Sequence, residues 1–280
     1  MNSLTVTVVG LGLIGGSVAR ALKSSVKAIY GVDCNDSVLQ FAKEQNIIDD
    51  GYTSAKEPLS KSDIVILCLY PDASLNFVRD NINNFKDNSI LTDVVGVKSP
   101  LMKLYNETKL NFIYIGGHPM AGREVSGFIN STDTMFRGAN FIITPPLGAT
   151  EEQIKVVEKL AIAIGCATIT RTTPENHDKI IAYTSQLPHV IATAMCDTPL
   201  LVKHKNFTGG SFEDVTRVAK INELLWTELF LNNSEYLIEE IDRFTNSLND
   251  IKTAIKCGDN RALMEIMRRV RLDKELIDNA

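Results

Sequence analysis

Three glycines near the start of the chain have the spacing of a dinucleotide-binding turn. The segment from Val6 to Ser17 reads V-T-V-V-G-L-G-L-I-G-G-S, which places Gly10, Gly12 and Gly15 between an apolar run and a helical pattern. In such a turn the first glycine permits the bend, the second lets the backbone approach a pyrophosphate, and the third lets the helix pack against the strand. The N–H groups at the start of the helix then bind phosphate oxygens.

Asp33 indicates which dinucleotide binds. It follows the next apolar run, 18 residues after Gly15, close to the ~20 residues expected for the carboxylate that binds the adenosine ribose. A carboxylate accepts a hydrogen bond from a 2′-hydroxyl and repels a 2′-phosphate, and Cys34 and Asn35 offer no arginine, so we expect NAD rather than NADP. A glycine-rich packing turn is the alternative. The predicted cofactor contacts are Gly10, Leu11, Gly12, Leu13, Ile14, Gly15, Asp33, Leu69, Tyr70, Pro71 and Asp93.

A histidine between glycines and a proline is the candidate catalytic group. The stretch from Gly116 to Gly127 reads G-G-H-P-M-A-G-R-E-V-S-G and follows a predicted strand. Ligands of open α/β sheets bind at the carboxyl edge of the strands. An imidazole there can accept a hydroxyl proton near neutral pH while hydride leaves the same carbon. His118 is therefore a candidate general base, and packing within a turn is the alternative for an isolated histidine.

The elements that position these residues alternate between strands and helices up to about Arg171. Several β-branched runs are apolar at consecutive positions, as parallel strands covered on both faces require. The predicted strands are Val6–Val9, Ala28–Val32, Ile64–Leu69, Ile90–Val94, Phe112–Gly116, Phe141–Thr144 and Thr168–Thr170, and the predicted helices are Ile14–Lys23, Ser37–Glu44, Ala73–Asn81, Lys98–Tyr105 and Glu151–Ile164. This alternation predicts an α/β fold with a Rossmann-type doubly wound parallel sheet.

The rest of the chain is predicted to be helical. Strand patterns stop after Pro174, which places a domain boundary near Thr172–Glu175 and predicts an NAD-binding domain over 1–172 and an all-α C-terminal domain over 173–280. Six apolar residues spaced 4, 3, 4, 3 and 4 apart form a heptad-like seam: Leu237, Ile241, Phe244, Leu248, Ile251 and Ile255. Such a seam needs a partner helix, either inside the same domain or across a dimer interface.

Composition excludes several classes of protein. The 280 residues are 44% hydrophobic and 22% charged, as in folded globular proteins, and the formal net charge is -5. Binding to nucleic acid is not expected, because the basic excess that phosphate backbones attract is missing. No apolar stretch approaches the ~20 residues that span a bilayer. The five scattered cysteines form no C-x-x-C pair, so we expect no metal site, no membrane association and a cytoplasmic location.

Several motifs occur in the order typical of one enzyme family. Besides the glycine turn and the histidine stretch, these are D-V-V-G-V-K over residues 93–98, H-D at 177–178, S-Q-L-P-H over 185–189, and G-G-S-F-E-D-V-T-R from 209 on through Trp226. Together they resemble the prephenate and arogenate dehydrogenase family over almost the whole length. The resemblance implies NAD-dependent oxidative decarboxylation of prephenate, or of its amino analogue arogenate, in tyrosine biosynthesis. It also implies a homodimer formed through the helical domain, in a short form without a fused mutase or regulatory domain.

The resemblance also implies roles for individual residues. His118 hydrogen-bonds the ring hydroxyl and takes its proton as hydride passes from the same carbon to NAD+ and the ring carboxylate leaves as CO2. Arg217 binds a substrate carboxylate, and Asp214, three residues earlier, shares its helix face and orients it. His189 contacts the substrate near its side-chain carbonyl. Three weaker substrate-binding assignments are Glu124 near the site entrance, Gln186, and Trp226, which reaches the partner subunit's site.

The remaining histidines and two departures from the family pattern complete the prediction. His177 is expected to cap a helix or tie the domains together, and His204 to lie at the surface. Many family members have serine at the position of Gly96, where its hydroxyl helps to position the catalytic groups, which leaves water, Lys98 or Ser99 as substitutes. Gln186 stands where histidine is common and cannot carry charge.

Two other functions remain as alternatives. The first is another dehydrogenase with a Rossmann domain followed by helices, of the β-hydroxyacid or imino-acid type, which would leave the His118 motif unexplained. The second is a sensor that holds NAD without turnover, which would not need His118 or Arg217. The sequence does not separate prephenate from arogenate, although His189 favours prephenate.

Overall fold

The computed structural model describes residues 1–203 and 206–278, so His204 lies outside the described residues. The chain forms two compact units, Met1–Asn233 and Ser234–Ala280. The first unit contains all strands of the described residues and the predicted site residues. The second unit is a pair of helices.

A six-stranded parallel sheet forms the centre of the first unit, in the order β3-β2-β1-β4-β5-β6. The predicted doubly wound fold is therefore confirmed. Its strands are β1 (Thr5–Val9), β2 (Ala28–Val32), β3 (Asp50–Tyr52), β4 (Ile64–Leu67), β5 (Ile90–Asp93) and β6 (Ile113–Tyr114). The helices that follow them are α1 (Leu13–Leu22), α2 (Asp36–Glu44), α3 (Lys56–Lys61), α4 (Pro71–Asn81) and α5 (Ser99–Glu107).

Alternate residues of the central strands enter two separate apolar clusters. Ile64 and Ile66 of β4 belong to one cluster, and Val65 and Leu67 belong to the other. Successive side chains of a strand point to opposite faces, so both faces of the sheet are covered. This explains why β4 is apolar at every position and was predictable from sequence.

A second, three-stranded sheet differs from the prediction. It contains β7 (Gly116–Pro119), β8 (Asn140–Thr144) and β9 (Thr168–Arg171). The helix α6 (Glu151–Ala163) connects β8 to β9. Strand β7 runs antiparallel to β8, and β8 runs parallel to β9. The predicted single strand Phe112–Gly116 is wrong: β6 ends at Tyr114 and β7 begins at Gly116. His118 consequently lies inside a strand, paired with Ile142.

Helices complete the first unit after β9. They are α7 (Pro174–Ile181), α8 (Leu187–Cys196), α9 (Gly210–Thr216) and α10 (Glu223–Leu231), with a π-helical turn over Ala182–Gln186 between α7 and α8. The helix α7 begins at Pro174 because Thr173 accepts a hydrogen bond from the Asn176 N–H at 3.2 Å and proline fits the first turn. The helical prediction for this part of the chain is confirmed.

The second unit consists of α11 (Ser234–Cys257) and α12 (Asn260–Asp278). The whole predicted seam lies on α11. Large apolar side chains are exposed on both helices, among them Ile238, Leu248, Ile255, Met264, Met267 and Val270. Among the described residues, no helix has the length and apolar character needed to cross a membrane.

Candidate active site

The glycine turn between β1 and α1 has a geometry that requires glycine at two positions. Gly10 has φ +87°, and a Cβ there would lie 2.7 Å from the Cys68 carbonyl oxygen. A Cβ at Gly15 would lie 1.8 Å from the Gly10 carbonyl oxygen. A Cβ at Gly12, in contrast, would meet no described atom within 4 Å, and no described side chain caps the first turn of α1. Backbone N–H groups at this open helix start suit a pyrophosphate.

Asp33 is held beside this turn at the end of β2. Its Oδ2 accepts a hydrogen bond from the Leu11 N–H at 2.7 Å, and its Oδ1 accepts one from the Asn35 N–H at 2.9 Å. The carboxylate is therefore fixed at the tip of the loop, where a ribose hydroxyl can donate to it. These residues fit NAD. Among the described residues, no group of three or more histidines, cysteines, aspartates and glutamates could hold a metal ion.

The segment after β4 lies on the other side of the same turn. Leu69 Cδ2 would be 2.8 Å from a Cβ at Gly10, so it borders the glycine turn directly. Tyr70 is exposed, and its hydroxyl accepts a hydrogen bond from Asn222 Nδ2 at 2.9 Å. Pro71 begins α4. Because β1 lies between β2 and β4, this is the topological switch point of the sheet, where ligands of this fold bind.

Asp93 differs from the other predicted cofactor contacts. It is 0% exposed, and its carboxylate accepts hydrogen bonds from the N–H groups of Val95 (3.0 Å) and Gly117 (3.1 Å), from the Tyr114 hydroxyl (3.0 Å) and from Lys98 Nζ. We correct its assignment, because a buried carboxylate with four protein donors does not offer an oxygen to a cofactor. It instead fixes the start of β7.

Lys98 reinforces the same position. Its side chain is 0% exposed, and Nζ bonds both Asp93 and the Gly117 carbonyl oxygen, the latter at 2.6 Å. Burial lowers the pKa of Lys98, and the nearby Asp93 carboxylate opposes this shift. Both backbone polar groups of Gly117 are thus bonded within the Asp93–Lys98 pair. This anchors the residue immediately before His118.

His118 contacts a second histidine. Its Nδ1 lies 2.8 Å from His177 Nε2, and His177 Nδ1 lies 2.7 Å from Asp178 Oδ1. Burial lowers the pKa of His118 well below its usual value of 6.5, and the charges of His177 and Lys98 lower it further. Burial also lowers the pKa of His177, against the effect of Asp178. Both imidazoles are neutral near neutral pH, so His118 can act as a base.

The sequence does not predict this contact, since the expected role of His177 is only to cap a helix or to tie the domains together. The adjacent pair His177-Asp178 is the signal that could have found it, since a carboxylate beside a histidine is a common way to fix an imidazole. Gly96 lies next to the same ring: a Cβ there would be 4.0 Å from His118 Cε1 and 3.1 Å from Leu229 Cδ2. Lys98, one predicted substitute for the missing serine hydroxyl, is committed to Asp93 and Gly117.

His189 and Trp226 form a stacked pair. Their ring centroids are 3.6 Å apart with an interplanar angle of 27°. The Ser185 carbonyl oxygen lies 2.8 Å from His189 Nδ1 and accepts its proton, which leaves Nε2 for a ligand. Burial lowers the pKa of His189. Trp226 packs on a predicted site residue of its own chain, and its reach into the partner subunit's site stays a prediction.

Gln186 does not fit its predicted role. It is 1% exposed. Its Nε2 donates to the Leu229 carbonyl oxygen at 3.0 Å, and its Oε1 accepts from Asn233 Nδ2 at 2.7 Å. We correct the assignment, because both ends of the amide are used inside the protein. Gln186 holds the π-helical turn against α10.

Arg217 pairs with Glu124 rather than with Asp214. Its Nη1 lies 2.5 Å from Glu124 Oε1, and both side chains are exposed. Asp214 is also exposed, one turn earlier on α9. The expected orientation of Arg217 by Asp214 is therefore wrong for this structure, because Glu124 takes that place across 93 residues of sequence. After burial and the Ser185 hydrogen bond, the charge of Arg217 lowers the pKa of His189 and that of Glu124 raises it.

Comparison with known proteins assigns the family. The model of the prephenate dehydrogenase nucleotide-binding domain matches residues 18–170, and the model of the prephenate dehydrogenase dimerization domain matches residues 173–269. The chain belongs to the prephenate dehydrogenase family. Among its relatives, prephenate dehydrogenase of Bacillus subtilis is 26% identical over 285 residues, which cover 97% of this chain and 76% of the relative.

Solved structures of prephenate and arogenate dehydrogenases are also similar. Prephenate dehydrogenase from Aquifex aeolicus, in complex with hydroxyphenyl propionate and NAD+, is 31% identical with a TM-score of 0.87 and covers 99% of each chain. Synechocystis arogenate dehydrogenase is 25% identical with a TM-score of 0.82, covering 98% of this chain and 100% of its own. Asp33 and His118 both lie within the part of the chain that the nucleotide-binding domain model matches.

Proposed function

We propose that the protein catalyses the NAD-dependent oxidative decarboxylation of prephenate to 4-hydroxyphenylpyruvate in tyrosine biosynthesis. The observation that carries this proposal is the contact of His118 with His177 at 2.8 Å, in a chain whose similar structure from Aquifex aeolicus holds NAD+ and a hydroxyphenyl compound. Arogenate is the second candidate substrate, supported by the similarity to an arogenate dehydrogenase. The β-hydroxyacid and sensor alternatives leave the His118 constellation without a role.

The protein's part in this reaction is to orient and to accept one proton. When bound, NAD+ supplies the acceptor for the hydride. The backbone of residues 10–15 and the Asp33 carboxylate hold the dinucleotide, with Leu69, Tyr70 and Pro71 on the other side of the turn. His118 takes the proton of the ring hydroxyl as hydride leaves the same carbon, and it returns that proton to the oxygen once the electron pair of the broken bond to CO2 has entered the ring. Loss of CO2 makes the ring aromatic and supplies the driving force, so positioning and one general base suffice.

Arg217, His189 and Trp226 are the residues that bind the substrate side chain in this proposal. Arg217 offers a planar guanidinium to a carboxylate, for which bidentate geometry is available. Its ion pair with Glu124 is exposed and therefore weak, so a substrate carboxylate can replace it. His189, whose Nε2 is left free by the hydrogen bond of Nδ1 to Ser185, and the stacked Trp226 ring are the further side chains assigned to the substrate.

Arg217→Ala is expected to raise KM for the substrate about 10- to 100-fold with a smaller change in kcat. The lost hydrogen bonds to a charged group are worth about 1.5–3 kcal/mol, and loss of binding shared by ground and transition states appears in KM. Steady-state kinetics measures both constants. Arg171→Ala is the matched control, because Arg171 is also an exposed arginine paired with glutamates, Glu151 and Glu158. An unaltered KM in Arg217→Ala would remove the carboxylate assignment.

One spectrophotometric assay tests the function. NADH or NADPH formation is followed with prephenate and with arogenate, each with NAD+ and with NADP+. We expect turnover with prephenate and NAD+, and lower kcat/KM with NADP+ because the Asp33 carboxylate repels a 2′-phosphate. Turnover with arogenate alone would select the second candidate. Absence of turnover with both substrates would overturn the proposal.

We further propose a cytoplasmic homodimer formed through the helical domain, with the domains divided at 172/173. The support for association is the family's dimerization domain over 173–269 and the exposed apolar residues of α11 and α12. Exposed apolar side chains in such numbers mark an association surface.

The chain has an acidic net charge, and the proposed substrate carries two carboxylates. Attraction of the substrate must therefore come from local groups such as Arg217 and the start of α1.

A further inference from the structure

A neutral histidine can accept a proton at one ring nitrogen only. The other nitrogen carries the proton, and its hydrogen-bond partner decides which nitrogen that is. In water, a neutral imidazole side chain favours the form protonated at Nε2. In that form His118 would carry its proton on Nε2, the nitrogen that does not contact His177. Nε2 could then not accept the proton of a substrate hydroxyl.

A chain of hydrogen bonds sets the opposite form. The Asp178 carboxylate accepts the N–H groups of Lys98 and Ser99, each at 2.8 Å, so its orientation is fixed at the start of α5. A carboxylate only accepts, and it therefore takes the Nδ1 proton of His177 at 2.7 Å. This leaves a lone pair on His177 Nε2, which accepts the Nδ1 proton of His118 at 2.8 Å. The Nε2 of His118 is then unprotonated.

Burial and the nearby Lys98 favour the neutral form of both histidines. His177 and Asp178 are 1% and 0% exposed. The charged groups that act on the two rings are Lys98 at the start of α5, Asp93 at the end of β5 and Asp178 on α7. Lys98 is close to both histidines and disfavours a positive charge on either ring. Asp178 is the acceptor that fixes the direction of the proton chain.

We propose that His177 is a positioning residue that, together with Asp178, holds His118 in the form protonated at Nδ1 and so leaves Nε2 to accept the substrate proton. Because Gly96 has no hydroxyl that could position His118, His177 would take over that role in this chain. The proposal rests on the proposed function for the identity of the substrate hydroxyl. The form of His118 that it predicts belongs to the free protein.

Two substitutions at His177 separate positioning from packing. His177→Phe fills a similar volume without an acceptor, and we expect kcat to fall on the order of 10²-fold, within the ~10²–10⁴-fold that general-base assistance supplies. His177→Gln offers an amide oxygen to His118 Nδ1, and we expect kcat within about tenfold of the wild type. KM and the dissociation constant of NAD+ should change little in both. Equal losses of kcat in the two variants would overturn the proposal.

Nitrogen NMR of histidine-labelled protein tests the form of His118 directly. The chain contains four histidines, and a His118→Asn sample assigns the resonance of interest. We expect wild-type His118 to be protonated at Nδ1, and His177→Phe to populate the form protonated at Nε2. A wild-type His118 protonated at Nε2 would overturn the proposal even if His177→Phe does not fold. If neither prephenate nor arogenate is turned over, the proposed function fails, while the NMR result still decides the role of His177.

Discussion

His118→Ala is expected to lower kcat about 10²- to 10⁴-fold, the range that a positioned general base supplies. The ring is the group that accepts the hydroxyl proton, and alanine offers no group that can accept it at the same place. The dissociation constant of NAD+ should stay nearly unchanged, since no hydrogen bond among the described residues joins the glycine turn or Asp33 to this ring. Steady-state kinetics and isothermal titration calorimetry measure the two effects.

The pH dependence of kcat/KM provides an independent readout of the same group. Protonated His118 cannot accept a proton, so activity must fall as pH drops through its pKa. Burial and the charges of His177 and Lys98 hold that pKa well below 6.5, so the wild type should keep its kcat/KM through pH 6.5 and lose it only at lower pH. In His118→Ala the residual activity should lack this acidic limb. An acidic limb at or above pH 6.5, or one that persists in the variant, would contradict the assignment.

The nucleotide half of the site was predictable because its determinants are local. Gly10, Gly12 and Gly15 lie within six residues. A positive φ and close neighbours require glycine at position 10, and a close neighbour requires it at position 15, whereas Gly12 leaves open space at the start of the helix. Strand β4 is apolar at every position because both faces of the sheet are covered. The alternation of strands with helices then determines the topology and places Asp33 beside the turn.

The catalytic half depends on contacts between distant segments, which a single sequence does not encode in its spacing. His118 and His177 are 59 residues apart, and Arg217 lies 93 residues from Glu124. Sequence spacing predicts only neighbours on the same helix face, and it therefore indicated Asp214 as the partner of Arg217. The short strand β7 also lacks a strand pattern, since two of its four residues are glycines that allow close approach to Thr144 and Phe141.

Lys98→Met is expected to lower the free energy of unfolding by about 3–5 kcal/mol, the usual cost of removing one partner of a buried ion pair. Methionine keeps the apolar stem but leaves the Asp93 carboxylate, 0% exposed, without its cation. It also leaves the Gly117 carbonyl oxygen without its donor. Denaturant unfolding measures the loss, and the effect should extend to kcat, because the residue after Gly117 is His118.

A second lysine provides the matched control. Lys86 pairs with Asp63 at 2.6 Å, but these side chains are 45% and 30% exposed, and exposed pairs of this kind contribute about 0–1 kcal/mol. Lys86→Met should therefore lower the free energy of unfolding far less than Lys98→Met, although each substitution removes the lysine of a Lys–Asp ion pair. Adding Asp93→Asn to Lys98→Met should recover part of the stability, because the uncompensated buried charge is then gone. Equal costs for the two lysines would show that burial of the Asp93–Lys98 pair does not anchor the strand that carries His118.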